Sequence, residues 1–372
     1  MSAWKRTILS NIIELLGGGT PKTTCNEYWN GNIPWLSVVD FNNGLKYVSQ
    51  TEKNITQKGL ENSSAKLLSA GDIIISARGT IGALAILKKT MSFNQSCYGV
   101  RGKKDIAITD WVYYQLKNIV DEFSQKSHGG VFDTITRSTF NEIEIELPSV
   151  LEQKAIASIL SSIDDKIDLL HRQNKTLESM AETLFRQCFN NYLQTNKKCG
   201  CVGDLFSPLK GKNITRKNVV KDGSYPVVAG GLEPSCFHNK YNTQKPVITI
   251  SASGANAGFV RLYHTNVWSS DSSYIDKSIF PYIYYAYILL KINQNTLFDS
   301  QVGSAQPHIY PKNIMELELS IPPIAYIKDY DDQVAPFFKK IEFNDNQIKS
   351  LSDLRDILLP KLMSGEVRVK LD

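Results

Sequence analysis

A short stretch near the middle of the chain carries residue types that could support metal-dependent chemistry. Pro148 is followed by Glu152, Gln153 and Lys154, and a proline, an acid and a lysine in this order occur at the Mg²⁺ site of many nucleases. Such a carboxylate and lysine must converge on one metal ion. Glu152 and Lys154 instead open a helical pattern, in which they lie about 200° apart around the axis. The favoured interpretation is a carboxylate that stabilises a helix N-terminus.

Other motifs for catalysis are absent from the sequence. It contains no Asn-Pro-Pro-Tyr or Asp-Pro-Pro-Tyr amino-methyltransferase motif, no phosphate-binding Gly-x4-Gly-Lys-Ser/Thr loop and no HExxH. Of the six cysteines only Cys199 and Cys201 lie close together, with a spacing that zinc knuckles do not use and no second pair. We therefore expect no catalytic residue, no metal site and no cofactor in this chain.

Composition sets the broad class. The 372 residues are 42% hydrophobic, enough for two or three domains, and no apolar run is long enough to cross a membrane. The opening MSAWKRTILS lacks a signal-peptide core, so we expect a cytoplasmic protein that does not associate with membranes. The net charge of +5 permits nucleic-acid binding. Basic residues exceed acidic ones by 16 to 14 in residues 1–147 and by 10 to 6 in residues 199–310.

The chain contains an internal duplication. The stretch Phe140–Pro148, FNEIEIELP, aligns with Ile314–Pro322, IMELELSIP, at an offset of 174 residues. Upstream, the segment Ile73–Gly79 is similar to Ile248–Gly254 at nearly the same offset. Both copies are rich in β-branched and aromatic residues and are punctuated by Gly, Pro and Asn, which is typical of short strands joined by turns. Loop glycines such as Gly17-Gly18-Gly19 are interpreted as turn geometry rather than as phosphate-binding loops.

These patterns predict four segments in the order head, helix, head, helix. The fold class is α/β (α+β), with two duplicated mixed α/β heads, each followed by a long helix. The boundaries are 1–148 for the first head, 149–192 for the central helix, 199–322 for the second head and 323–372 for the C-terminal helix and tail.

The two predicted helices carry unbroken heptad seams. The first seam runs from Ile156 through Asn174 to Leu184 and Cys188, and the second runs from Val334 through Asn344 to Leu362. Pro336 must start or kink the second helix. An antiparallel coiled coil in which paired residue numbers sum to 518 places Asn174 opposite Asn344. The residues expected at this interface are Leu160, Ile167, Leu170, Asn174, Leu177, Ile341, Asn344, Ile348, Leu351 and Leu358.

Several short motifs in both halves are similar to one known family. The specificity subunit of type I restriction-modification enzymes is resembled by Gly18-Gly19-Thr20-Pro21, Ile33-Pro34-Trp35-Leu36, the segment Ser76–Gly82 and the tail LRDILLPKLMSGE at residues 354–366. The linker between the first head and its helix, Leu147-Pro148 followed by Glu152-Gln153, resembles the same family. The resemblance covers the whole chain. The second head departs from it by lacking the Gly-Gly-Thr-Pro opening, and the second linker lacks the Glu-Gln pair. These departures affect the expected docking details more than the expected function.

The resemblance implies a non-catalytic subunit with two target-recognition domains that reads a bipartite double-stranded DNA target in phage defence. Its partners would be methyltransferase subunits, two of them, and in some assemblies restriction (motor) subunits. S-adenosylmethionine, ATP and Mg²⁺ would belong to those partners. The alternatives are a stand-alone DNA-binding regulator and a specificity component of another phage-defence complex. A regulator should bind its site tightly alone, whereas a specificity subunit should need methyltransferase subunits for full affinity.

Matching loops of the two heads carry the candidate DNA contacts. Arg, Lys, Asn, Gln, Ser, Thr and His on loops read base edges, and Lys, Arg and backbone amides bind phosphates. The predicted DNA-binding residues of the first head are Thr20, Lys22, Arg78, Ser127, His128 and Thr134. Those of the second head are Lys212, Ser253, Asn256, Ser304, Gln306 and His308.

Overall fold

The structure is a computed structural model that describes residues 4–126, 134–193, 200–214, 220, 223–303 and 307–370. The chain divides into two compact units. Unit 1 comprises residues 1–171 and 346–372, and unit 2 comprises residues 172–345. Each unit therefore contains one head together with part of each long helix.

Unit 1 combines three sheets with short helices. Its strands are β1 (Lys5–Ile8), β2 (Ile13–Gly17), β3 (Trp29–Leu36), β4 (Tyr47–Val48), β5 (Lys53–Ile55), β6 (Leu67–Leu68), β7 (Ile73–Ser76), β8 (Leu84–Leu87), β9 (Met91–Phe93), β10 (Cys97–Gly102) and β11 (Glu144–Leu147). Its helices are α1 (Leu9–Ile12), α2 (Gln57–Glu61), α3 (Thr109–Lys126) and α4 (Arg137–Glu142).

The main sheet of unit 1 has the strand order β2-β10-β7-β8-β4, and a second sheet has the order β5-β3-β9-β6. Every residue of β7 is buried, as expected for an uninterrupted isoleucine run in a central strand that is covered on both faces. Strand β11 pairs with β1. The helix α3 contributes Trp111 and Tyr114 to the core on this sheet.

Unit 2 repeats this plan, with fewer strands among its described residues. Its strands are β12 (Gly200–Cys201), β13 (Leu209–Lys210), β14 (Tyr225–Val228), β15 (Cys236–His238), β16 (Val247–Ser251), β17 (Val260–Tyr263), β18 (Trp268–Ser269), β19 (Ser272–Asp276) and β20 (Glu318–Leu319). The helices of its head are α6 (Ile283–Ile292), α7 (Gln294–Asp299) and α8 (Pro311–Met315). The remaining two helices, α5 (Val150–Leu193) and α9 (Ile324–Met363), are the long ones that follow the two heads.

Strand order shows that the two heads are copies of one fold. The order β13-β19-β16-β17 in unit 2 corresponds to β2-β10-β7-β8 in unit 1, and β15-β14-β18 corresponds to β5-β3-β9. In both copies one strand pair of the second sheet is parallel, β3 with β9 and β14 with β18. Strands β11 and β20 begin 174 residues apart. The predicted duplication and the mixed α/β fold class are confirmed.

The long helices α5 and α9 pair antiparallel within each unit. In unit 1 the Arg355 guanidinium of α9 lies 2.9 Å from the Asp164 carboxylate of α5, and Leu160 packs in one cluster with Leu359 and Leu362. Burial opposes the charge of Arg355, but hydrogen bonds to Asp356 and Asp164 raise its pKa overall. Arg355 lies between Leu351 and Leu358 in the predicted heptad seam. The ion pair with Asp164 explains how this charged residue is accommodated there.

In unit 2 the seam differs from the prediction. The residues of α5 that are buried there are Ala181, Phe185 and Phe189, whereas Leu184 is half-buried and Cys188 is exposed. The reason is that this part of α5 packs against the head as well as against α9. Phe185 and Phe189 contact both Tyr285 of α6 and Tyr330 of α9, so the buried stripe follows i, i+4 spacing rather than a strict heptad.

Pro336 does not start the second helix, although that is one of the two outcomes expected from its missing N–H. Helix α9 begins at Ile324 and continues through Pro336 to Met363. Val334 and Phe338, on either side of the proline, are both buried in the unit 2 core, and this packing holds the helix together where one backbone hydrogen bond is lost. In the described part of the chain, none of the helices is long and apolar enough to span a membrane.

Each long helix also holds the start of a head helix in its own unit. In unit 1 the fully buried Gln153 of α5 accepts a hydrogen bond from the Ile108 N–H, 2.8 Å away and one residue before α3. In unit 2 the Asp331 carboxylate of α9 accepts from the N–H groups of Tyr284 and Tyr285 in the first turn of α6. These contacts satisfy amides that a helix start leaves unpaired. The second linker lacks a glutamine equivalent to Gln153, and Asp331, further along α9, makes the corresponding contact with the head helix.

The two seam asparagines meet within unit 2. The Asn344 side chain is fully buried, and its Nδ2 donates to Asn174 Oδ1 at 2.7 Å and to Gln173 Oε1 at 2.9 Å. Asn174 Nδ2 donates in turn to Asp345. Of the other predicted interface residues, Leu160, Ile167 and Leu170 are buried, and those that are half-buried are Leu177, Ile341, Ile348, Leu351 and Leu358.

We predict that the asparagine pair is energetically coupled. Asn174→Leu should lower the free energy of unfolding by about 1–3 kcal/mol, because the buried Asn344 amide loses an acceptor. The double variant Asn174→Leu, Asn344→Leu should be at least as stable as that single variant, because it leaves no buried amide unpaired. Chemical denaturation of the wild type, both single variants and the double variant measures these free energies. Additive losses in the double variant would show that the two side chains act independently.

Candidate nucleic-acid interface

Loops from four parts of unit 1 form one surface of the first head. We define the first loop face as residues 18–22, 76–82, 94–96 and 134–137. The loop 76–82 joins β7 to β8, and 94–96 joins β9 to β10. Backbone hydrogen bonds connect these loops around Ala77, whose N–H donates to Ser96 O at 2.8 Å and whose carbonyl accepts from Ile135 N–H at 2.9 Å. The Thr20 hydroxyl donates to the Gln95 side chain, which adds the 18–22 loop.

The first loop face is cationic. Lys22, Arg78 and Arg137 are exposed, and none of them makes an ion pair with a carboxylate in the described parts of the chain. A Cβ placed on Gly17 would lie 3.8 Å from the Arg137 guanidinium, so Arg137 sits beside the 18–22 loop. Exposed and unpaired guanidinium and ammonium groups are the donors that bind phosphates and guanine edges.

The second head carries an equivalent surface, the second loop face, which we define as residues 211–214, 251–258, 270–271 and 307–310. Ala252 occupies the place of Ala77. Its N–H donates to Asp271 O at 3.1 Å, and its carbonyl accepts from Ile309 N–H at 2.9 Å. The Gly258 N–H donates to the Ser251 carbonyl at 2.8 Å, as the Gly82 N–H donates to the Ser76 carbonyl at 3.0 Å. Arg78 and Ser253 are therefore equivalent positions on two copies of one framework.

One glycine of the predicted Gly-Gly-Thr-Pro opening has a counterpart in the second head. A Cβ on Gly18 would lie 2.2 Å from Asn94 O, and a Cβ on Gly211 would lie 2.4 Å from Ser270 O. These are backbone atoms of equivalent turns, so both positions require glycine because the chains approach closely. The interpretation as turn geometry is wrong for Gly18, since the constraint is crowding by a neighbouring loop rather than an unusual φ angle.

The predicted contact residues of the second head are less accessible than those of the first. Lys212 is exposed, and its carbonyl accepts from Trp268 Nε1 at 2.7 Å. The half-buried Ser253 donates its hydroxyl hydrogen to the Asp271 carboxylate, so it is not a free loop residue. Asn256 is half-buried. The half-buried His308 stacks on Tyr310 with 6.1 Å between ring centroids.

Some predicted residues cannot be placed on these faces. Ser127, His128, Ser304 and Gln306 lie outside the described residues. Thr134 is exposed at the edge of the first loop face, next to Ile135. The structure thus brings Thr20, Arg78 and Thr134 together in the first head, and Lys212, Ser253, Asn256 and His308 lie on the second loop face.

Sequence reasoning missed Gln95, Arg137 and Asp271, which also lie on the loop faces. Gln95 and Asp271 lie in turns before β10 and β19, and Arg137 is the first residue of α4. The available signal was the duplication itself. Strand β10 pairs with β7 in the same register as β19 with β16, which aligns Cys97 with Ser272. Extending that alignment by one residue matches Ser96 with Asp271.

The possible metal-binding carboxylate of the middle segment has a structural role. Glu152 accepts hydrogen bonds from the Ser149 N–H and hydroxyl, while the Glu152 N–H donates to Ser149 Oγ. This reciprocal arrangement is a capping box at the start of α5, as the sequence favoured. Glu152 also pairs with Arg368 at 2.9 Å. No cluster of three or more metal-binding side chains occurs within the described ranges, from which Cys199 is missing.

Fold and surfaces together define a class of protein. The chain presents two similar loop faces on a duplicated α/β framework, which is the arrangement of a two-headed recognition protein. Comparison with known proteins specifies the family. The model of the type I restriction modification DNA specificity domain matches residues 1–179 and 195–351, which is most of the chain. The protein belongs to this family.

Individual relatives agree with the family match. The type I restriction enzyme MjaIX specificity subunit of Methanocaldococcus jannaschii is 29% identical, and the alignment covers 99% of this chain and 94% of that protein. A putative type I specificity subunit of Mycoplasma genitalium is 24% identical over 87% of this chain and 85% of its own length. The crystal structure of the S subunit from M. genitalium has the same fold, with a TM-score of 0.52 at 18% identity over 99% of this chain and 97% of the other.

Specificity subunits are the non-catalytic, DNA-recognising subunits of type I restriction-modification systems, and this chain is a member of that family. The sequence-based identification is confirmed. The functional residues of the protein are therefore sought among groups that bind DNA rather than among groups that perform a reaction.

Proposed function

We propose that the protein reads a bipartite double-stranded DNA target, one half with each loop face. One observation carries the proposal: the same hydrogen-bonded framework occurs in both heads but presents different side chains, with Arg78 at the position that Ser253 occupies in the other copy. A repeated framework with changed loop residues is suited to reading two different sequences by one docking geometry. The three exposed cations of the first loop face, which make no ion pair with a carboxylate among the described residues, support DNA as its ligand.

The proposal includes a scaffolding role. The chain would hold two methyltransferase subunits and, in some assemblies, restriction subunits in the cytoplasm, and S-adenosylmethionine, ATP and Mg²⁺ would bind to those partners. Exposed apolar side chains on the long helices support partner contacts. Leu354 and Ile357 lie three residues apart on one face of α9 and are 45% and 59% exposed, and Phe343 on the same helix is 59% exposed. Exposed apolar groups of this size suit a protein interface.

The proposal predicts the form of the recognised site. The protein should be expressed with its methyltransferase subunits in a host lacking other methylation, and methylated bases should be mapped across the genome. We expect one motif with two specified parts, separated by unspecified base pairs of constant number and modified in both parts. The protein without partners should bind this motif more weakly than the complex. A single uninterrupted motif, or full affinity of the protein alone, would contradict the proposal.

We predict that Arg78 contributes to DNA affinity but not to folding. Arg78→Ala should weaken binding of the complex to its target by about 1–3 kcal/mol if the guanidinium contacts guanine, and by less if it contacts phosphate. The matched control is Lys89→Ala, which removes another exposed cation from the turn at the opposite end of β8. Binding titrations at several salt concentrations measure both effects. Equal affinity and equal salt dependence of Arg78→Ala and the wild type would show that Arg78 does not contact DNA.

A further inference from the structure

The two loop faces differ in charge at one equivalent place. Arg78 and Ser253 both precede a glycine in the left-handed region, Gly79 with φ +76° and Gly254 with φ +81°. A Cβ at either glycine would meet nothing within 4 Å, so both loop tips are open. The residue across the loop also differs, because the backbone partner of Ala77 is Ser96 and that of Ala252 is Asp271.

In the first head the charged group at this place is a hydrogen-bond donor, the Arg78 guanidinium. The Arg78 side chain is exposed and makes no hydrogen bond with any residue that the structure describes. Ser96, across the loop, is neutral. A guanidinium carries five N–H donors in a planar fork and no acceptor, and in the major groove its best match is the O6 and N7 acceptor pair of guanine.

In the second head the same place displays acceptors. The Ser253 hydroxyl donates its single hydrogen to Asp271 Oδ2, so the remaining capacity of the serine oxygen is for accepting. In the described regions Asp271 Oδ1 receives no hydrogen bond, and the carboxylate is half-buried at the edge of the face. The Ser253 oxygen and Asp271 Oδ1 can therefore each accept a hydrogen bond, and each needs a donor on the ligand.

A carboxylate on a DNA-binding surface restricts its ligand. Phosphate oxygens carry negative charge and no hydrogen, so they repel Asp271 rather than bind it. The donors that duplex DNA offers in the major groove are the N4 amino group of cytosine and the N6 amino group of adenine. An acceptor pair held in place by an internal hydrogen bond fits such an amino group and disfavours a base that presents an acceptor there.

From these observations we infer that the two heads read one base each with opposite hydrogen-bond polarity. Arg78 donates to guanine in the first half-site, whereas Asp271, oriented by Ser253, accepts from the amino group of cytosine or adenine in the second half-site. The inference rests on the proposed function, because it assumes that both loop faces contact DNA. It adds the specificity-determining residue of the second head and the chemical class of base that this residue selects.

The decisive variant is Asp271→Asn in the complex with methyltransferase subunits. The amide adds donors where the carboxylate had none, so we expect preference at one position of one half-site to fall about 10-fold or more, which is the discrimination of a good base contact. Arg78→Ala should relax a guanine in the other half-site. Glu316→Gln is the control, since it neutralises an exposed carboxylate of the same head that pairs with Lys312. Genome-wide methylation mapping gives the preference at every position.

A second measurement identifies the atom and does not depend on the variant's folding. In the wild-type complex, the base whose preference is assigned to Asp271 is replaced in a synthetic duplex by an analogue without the amino group, purine for adenine or 2-pyrimidinone for cytosine. We expect affinity to fall about 10-fold for the wild type and much less for Asp271→Asn. If Asp271→Asn does not assemble, every adenine and cytosine of both half-sites is replaced in turn, and the loss should map to the half-site that Arg78→Ala leaves unchanged.

The outcomes separate the inference from the proposed function. A wild-type complex without a two-part motif would refute the proposed function itself. A two-part motif whose base preferences survive Asp271→Asn, or a half-site in which no removed amino group weakens binding, would refute the inference alone. Relaxation in the same half-site by both Arg78→Ala and Asp271→Asn would also overturn it, because the two residues belong to different heads.

Discussion

One large hydrophobic cluster of each head is completed by side chains from the paired long helices, and the other features of the molecule depend on this packing. In unit 1 one cluster joins Trp111 of the head to Leu160 of α5 and Leu359 of α9. In unit 2 another joins Tyr285 of the head to Phe185 of α5 and Tyr330 of α9. Buried apolar surface stabilises by about 25 cal/mol per Å², so the helices are part of each domain rather than separate connectors. Hydrogen bonds add directional contacts: Gln153 of α5 holds the start of α3, and Asp331 of α9 holds the start of α6.

A framework anchored in this way can vary its loop tips without losing the fold. The hydrogen bonds of Ala77 and Ala252 are made by backbone atoms, and they do not depend on which side chains the neighbouring positions carry. Positions 18 and 211 require glycine, because a side chain there would collide with the carbonyl oxygen of a neighbouring loop. Arg78 and Ser253, in contrast, are different side chains at equivalent places, each next to a glycine that has open space around it. The same physical arrangement therefore separates the positions that hold the fold from those that can select a base.

The sequence predicted those features that repeat or have a short period. Strands β11 and β20, the two long helices and the position of Asn174 opposite Asn344 all follow from an offset of 174 residues and a seven-residue spacing. It did not predict the burial of Phe185 and Phe189, because a helix that contacts two neighbours at once departs from a heptad. It also missed Arg137 and Asp271, since backbone hydrogen bonds between loops distant in sequence bring these residues to the loop faces. Pro336 lies inside α9 because core packing on both sides outweighs one lost hydrogen bond.

The central claim is that two similar heads recognise DNA independently, and exchange of one head tests it most directly. Residues 199–322 would be replaced by the corresponding head of a relative with a different target, with both long helices left intact. Methylation mapping of the complex should then show one half of the motif changed to that of the relative, with the other half and its modification retained. A folded, assembled chimera in which both halves change, or in which neither does, would contradict the account.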